Sequence, residues 1–154
     1  MQKLTPPASK IKPEKISKLK VVLDTNILVS ALLSHEGNAA KILSLFTMDA
    51  LQVCYSKIIL VEYKKVLSRP KFKAQINTDM VDLVLEPLQE NGLEYRVIVD
   101  SVFPMQDESD RKFYDVAKQA GAFLVTGNKK HYPNEPFIVT PRYFIESVIE
   151  PLFS

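Results

Sequence analysis

The stretch Leu19-Lys20-Val21-Val22-Leu23-Asp24-Thr25-Asn26 decides how the rest of the chain is read. LKVVL is a short apolar run of the kind that forms a strand buried on both faces, and it ends on a carboxylate. Asp24, Thr25 and Asn26 are cap-type residues, after which residues 27–33 can open a helix. Burial at that strand end would penalise an idle charge. A plain helix N-cap is the alternative reading of Asp24, and the residue alone does not choose between them.

The same alternation continues outward. Asn38 caps a predicted helix over 39–48, LQVCY (51–55) reads as a second strand, and Ser56 is the N-cap of a helix that Arg69-Pro70 stops near Ser68. Thr78 opens a helical pattern through Met80, Val81, Val84, Leu85 and Leu88 to just before Gly92, with Pro87 predicting a kink or an earlier end. YRVIV (95–99) reads as a third strand and 100–109 as a polar loop. A helix follows with Phe113, Val116, Ala117 and Ala120 on its apolar face, ending at Gly121. Residues 122–125 form a fourth strand, which leads into Thr126-Gly127-Asn128, and 137–139 a short fifth. Thr140-Pro141 sets an N-cap before a proline at the first position of a helix over 142–148. Strands separated by helices need crossover connections, so the fold class is α/β with a mainly parallel sheet of about five strands.

Composition bounds the function classes. The chain has 154 residues, 46% hydrophobic and 25% charged with no Trp, which fits one domain able to hold a core without disulfides or a structural metal. Collagen-like, low-complexity and wholly disordered classes are excluded. The single Cys54 has no cysteine partner for a disulfide or a zinc cluster, as suits a reducing cytosol. No apolar stretch approaches the ~20 residues of a membrane span, and no signal-peptide core opens the chain; the expectation is a soluble cytoplasmic protein with no membrane partner. Formal charge is +2, yet residues 1–20 carry six lysines against Glu14 alone, which leaves the remaining 134 residues at −3. Residues 1–18 read as a basic flexible tail and 19–154 as the folded domain. A basic arm for nucleic-acid phosphate is the second reading of that tail. Because the body is acidic, nucleic-acid binding would need local basic groups or a metal.

Further carboxylates fall near the same edge of the predicted sheet, where open α/β sheets bind ligands. Glu62 interrupts an otherwise apolar helix, Ile58, Ile59, Leu60, Val61. Helical side chains tilt toward the N-terminus, so Glu62 can lean back toward the strand ends; a solvent-facing Glu paired with Lys64 or Lys65 is equally consistent. Asp107 and Asp110 bracket the start of the next crossover helix, where one acid would serve as a cap and two exceed that need. Asn128 ends the fourth strand with an amide oxygen able to meet a hard cation. Several carboxylates on one edge resist ionising together unless a divalent cation neutralises them, and all-oxygen ligation selects Mg²⁺ or Mn²⁺. The chemistry implied is metal-assisted phosphodiester hydrolysis. His35 and His131 are lone residues in polar segments and read as solvated.

The ordered set Val22-Leu23-Asp24-Thr25-Asn26, Glu62, Arg69-Pro70-Lys71-Phe72, Asp107-Glu108-Ser109-Asp110 and Leu124-Val125-Thr126-Gly127-Asn128, with Thr140-Pro141-Arg142-Tyr143-Phe144 after it, resembles the PIN-domain nucleases. Within them it is most similar to the bacterial single-domain group regarded as toxins of toxin–antitoxin systems. The resemblance runs from about Lys18 to Val148. It implies a three-layer α/β/α sandwich whose acids bind Mg²⁺ or Mn²⁺ to cleave RNA. It matches Asp24 to the first acid, Glu62 to the second, Asp110 to the third, and Asp107 to an extra acid of the subgroup. Asn128 stands where many members have a further Asp. Asn26 is similar to the polar residue supporting the first acid, and Asn26 and Thr126 are placed with the substrate-binding set. The implied partners are single-stranded RNA, an antitoxin covering the acidic cleft, and a second copy in a homodimer. Arg111, Lys112, Lys129 and Lys130 flank the edge as candidate phosphate contacts. Lys57, Lys64, Lys65, Arg69, Lys71 and Lys73 form a second basic group on or after the Glu62 helix, and Tyr132 and Phe103 are loop aromatics available for stacking. Two other classes compete. Asn128 suits a non-catalytic PIN-like module that binds RNA or protein. Asp24 at a strand end also suits an aspartyl-nucleophile phosphatase, although that chemistry wants a second Asp where Asn26 stands.

Overall fold

Val21, Val22 and Leu23 are consecutive and all but fully buried. Successive strand residues point to opposite faces, so this strand is covered on both sides and its sheet is the middle layer of a sandwich. A computed structural model describes residues 18–98 and 104–153. The strands are β1 (Leu19–Leu23), β2 (Leu51–Tyr55), β3 (Leu93–Glu94), β4 (Phe123–Val125) and β5 (Ile138–Val139), ordered β3-β2-β1-β4-β5. Every pairing is parallel, with Val21 opposite both Val53 of β2 and Phe123 of β4. From β1 the chain moves outward to β2 and β3, then returns to β4 and β5. The gap between the ends of β1 and β4 is therefore the topological switch point, where such sheets place their ligands.

Helices α1 (Thr25–Leu33), α2 (Asn38–Thr47), α3 (Lys57–Leu67), α4 (Thr78–Asn91) and α5 (Arg111–Ala120) supply the crossovers. Helix α6 (Pro141–Tyr143) runs on into a π-helical turn, Phe144–Ile149. The caps follow the side chains available: Ser56 Oγ accepts from the Ile59 amide at 3.3 Å, and Thr140 Oγ1 from that of Tyr143 at 3.1 Å. Helix α5 lies across β1, β2 and β4 and also meets α3, where Tyr63 stacks on Phe113 with centroids 6.4 Å apart. Helix α1 packs on α2, and α2 on α6.

Three expectations shift. Asn38 is the first residue of α2 and Gly37, at φ 100°, is its cap; no side chain caps that helix, and a left-handed turn suits glycine. Pro87 neither ends nor divides α4, which continues to Asn91; Leu83, whose carbonyl loses its partner to the proline, is exposed, so water can serve it. The third strand occupies Leu93–Glu94 instead of 95–99. After the Tyr95 amide bonds to the Tyr55 carbonyl at 2.7 Å, Gln119 of α5 takes over: its Oε1 accepts from the Ile98 amide at 3.0 Å and its Nε2 donates to the Arg96 carbonyl at 2.9 Å. A side-chain amide thus replaces the ladder for this segment, while Val99 and the start of the polar loop, including Phe103, lie outside the described residues.

Candidate functional site

Asp24 follows β1 at the switch point and is 5% exposed. Its carboxylate does two jobs. Oδ1 accepts from the Asn26 amide at 3.3 Å, which caps α1, and Oδ2 accepts from the hydroxyls of Thr126 at 2.8 Å and Tyr132 at 3.1 Å. The cap reading and the buried-acid reading of Asp24 both hold. The backbone is fixed as well: the Asp24 amide bonds to the Val125 carbonyl at 3.0 Å, and Tyr63 Oη donates to the Leu23 carbonyl at 2.6 Å. Burial, and then the neighbouring charges of Asp24 and Asp110, push the Tyr132 phenol far up, so it stays a donor. Thr126 is fully buried between the Asp24 carboxylate and the Asn128 amide, which reaches its Oγ1 at 3.0 Å. It supports the first acid; it has no surface for a strand to touch. Tyr132 likewise is no exposed stacking platform.

Glu62 sits on α3 and leans inward as its helical tilt predicts. Oε2 accepts from Thr25 Oγ1 at 2.5 Å, and Oε1 pairs with Lys112 Nζ at 2.7 Å. Lys64 and Lys65 are exposed, so the counter-ion comes from α5 and not from its own helix. Lys112 also donates to the Ser109 carbonyl and lies 5.1 Å from the Phe113 ring centroid.

Asp107 caps the turn Glu108–Asp110, its Oδ1 accepting from the Ser109 amide at 2.9 Å and Ser109 Oγ at 2.7 Å. Those bonds hold its carboxyl below the usual value. Asp110 opens α5 and makes no side-chain capping bond. Burial, then the charges of Asp24 and Asp107, raise its carboxyl from 3.8 to about 6. His131 Nδ1 stands 3.9 Å from Asp110 Oδ2 and is only partly exposed, so it belongs to the site, contrary to the solvated reading. His35 is exposed.

The basic groups divide. Arg111 is clamped by Glu108, with Nε 2.7 Å from Oε1, and Lys112 is held by Glu62; Lys129 and Lys130 are exposed. Among the described residues no three His, Cys, Asp or Glu side chains converge closely enough to hold an ion as they stand, with Lys112 drawn in beside Glu62. Nevertheless the donor set fits a hard divalent cation: it is all oxygen, and Asp24 and Asp107 already disfavour ionisation of Asp110. Cys54 is buried and its thiol pushed up to about 11, which makes it inert. Sequence reasoning missed Thr25, Tyr63 and the role of Tyr132. Thr25 was visible as a hydroxyl beside the first acid; the tyrosines meet β1 only through the fold.

Comparison with known proteins agrees with this architecture. The PIN domain family matches residues 20–130. An uncharacterized protein of Methanocaldococcus jannaschii, MJ1680, is 32% identical over 120 residues, covering 77% of this chain and 76% of that protein. A chain in the crystal structure of VapBC2 from Rickettsia felis, bound to a DNA fragment from their promoter, superposes with a TM-score of 0.50 at 17% identity, over 79% of this chain and 97% of that one; it shares the fold. With Asp24 at the switch point of a parallel sheet and the match spanning most of its length, the chain belongs to the PIN-domain family, whose members are generally nucleases.

Proposed function

We propose that the protein is a ribonuclease that hydrolyses phosphodiester bonds of single-stranded RNA with Mg²⁺ or Mn²⁺, acting in the cytoplasm as the toxin of a toxin–antitoxin pair. The observation that carries this reading is Asp110, part-buried at the switch-point edge near Asp24 and Asp107; burial first, and then the charges of those two acids, raise its carboxyl to about 6. No helix of the described residues is long and apolar enough to cross a membrane.

Asp24, Asp107 and Asp110 are the groups that would hold the cation, with Glu62 and the amide oxygen of Asn128 flanking them on the same edge. A bound divalent ion supplies charge neutralisation for the phosphodiester and an acidified water. The chain's own residues do the rest. Thr126 and Tyr132 fix the Asp24 carboxylate, Thr25 and Lys112 fix Glu62, and the Asp107 cap sets the turn that carries Asp110. Lys129 and Lys130 remain open to position a phosphate backbone without reading its bases. Likeness in fold to a chain of the VapBC2 assembly supports a protein partner; its place over the acidic edge, and a homodimer, rest on the family resemblance.

Asn128 and the absence of three converged acids among the described residues favour one second reading, a PIN module that binds without cutting. Incubating end-labelled single-stranded RNA with Mn²⁺, Mg²⁺ or EDTA separates the two. Metal-dependent cleavage by the wild type that Asp24→Asn lacks supports the nuclease. Binding without cleavage across several RNAs supports the module.

A further inference from the structure

Lys112 is turned onto its neighbours instead of out into solvent. Its ammonium pairs with Glu62 Oε1 at 2.7 Å, donates to the Ser109 carbonyl and lies over the Phe113 ring, leaving the side chain 15% exposed. Thr25 Oγ1 occupies the other oxygen of Glu62 at 2.5 Å, so each oxygen of that carboxylate already has a donor. On the other flank, Asn128 brings no charge to the end of β4. Asp110, flanked by Asp24 and Asp107, has His131 Nδ1 at 3.9 Å as its nearest cationic neighbour.

We propose that Lys112 is a resident cation that fills the Glu62 half of the acidic edge, so that the site takes a single divalent ion, on the side of Asp24, Asp107 and Asp110. The inference rests on the metal-nuclease reading above and adds to it a stoichiometry and a specificity-determining residue. A lysine anchored by a carboxylate, a carbonyl and a ring face is pre-organised to stay when the ion arrives, whereas a solvated lysine would be displaced. An ammonium at this place also offers a fixed positive charge to an incoming phosphate without any second metal.

The test counts Mn²⁺ bound per chain, from the free-ion paramagnetic resonance signal, in wild type and in Lys112→Met, which keeps the aliphatic stem over Phe113 and removes the charge. The expected result is one ion for wild type and two for the variant. A second measurement, needing no variant, follows acetylation of Lys112 in the wild type by peptide mass spectrometry with and without saturating Mg²⁺. Lys112 should stay protected in both conditions, while Lys130 reacts freely in both. Two ions in the wild type, one in Lys112→Met, or Lys112 acetylation accelerated about fivefold or more by Mg²⁺, the size of a modest coupling between sites, each overturns the inference while leaving the metal-nuclease reading intact. Failure of both proteins to bind Mn²⁺ overturns the two together.

Discussion

Asp24 and Asp110 face the same edge, yet they are held by opposite means. Asp24 is the more deeply buried, and three donors converge on it: an amide and two hydroxyls. Asp110 is less buried, makes no capping bond, and meets mainly other negative charges, with His131 at 3.9 Å and Lys112 as partial relief. One acid is stored in a finished hydrogen-bond network; the other is left unbalanced. A nuclease centre has use for both, a fixed anchor for the cation and a group whose repulsion the cation relieves.

The two acids should be equal in catalysis and opposite in stability. Asp24→Asn and Asp110→Asn are each expected to lower Mn²⁺-dependent cleavage on the order of a hundredfold or more, since each removes a charged cation donor. Equal loss supports a shared centre; a variant cutting RNA at the wild-type rate takes its residue out of the chemistry. Saturating Mn²⁺ should stabilise the wild type by about 2.7 kcal/mol at a hundred times its Kd, or about 5–10 °C in Tm for a chain of this size. That shift should shrink in both variants.

In EDTA the two variants should part. Asp110 keeps its proton up to about pH 6 in the folded chain, whereas the unfolded chain releases it near 3.8. The stabilising contribution of the protonated group is therefore complete below about 3.8 and lost as pH rises through 6, so the ionised group is a burden at pH 8. Asp110→Asn should then raise stability at pH 8 by on the order of 2 kcal/mol, with the gain vanishing below about pH 4. Chemical denaturation at the two pH values checks this. Asp24→Asn should instead lower stability by about 1–3 kcal/mol, because whichever way the amide is turned its NH₂ meets a donor. The smallest effect belongs to Tyr132→Phe, which removes one of the two hydroxyls from Oδ2 and should cost about 1 kcal/mol, with a cleavage loss of about tenfold as the anchor loosens.

The same contrast explains what could be read from the sequence. LKVVL ending on Asp24 announces itself because the buried end of a strand leaves no room for an unused charge, and the order of strands and caps then brings the acids to one edge. Ser56 and Thr140 are legible as caps because capping is local. The third strand misled for a non-local reason: YRVIV has strand chemistry, but Gln119, more than twenty residues on, supplies the hydrogen bonds that a neighbouring strand would. Lys112 reads from sequence as a surface cation flanking the edge; only the meeting of α3 and α5 turns it onto Glu62. Tyr132 reaches Asp24 across 108 residues, beyond any periodicity. What depends on spacing along one element was visible; what depends on two elements meeting was not.

The most direct test of the account is a carboxyl-carbon NMR titration of Asp110 in EDTA and again in saturating Mg²⁺. The account predicts a pKa of about 6 in EDTA and, in Mg²⁺, a fall below the ordinary 3.8 as the cation replaces repulsion with attraction. An ordinary value near 3.8 in both conditions would show that Asp110 neither crowds its neighbours nor meets an ion, and would contradict the reading of this edge as a metal-dependent nuclease centre.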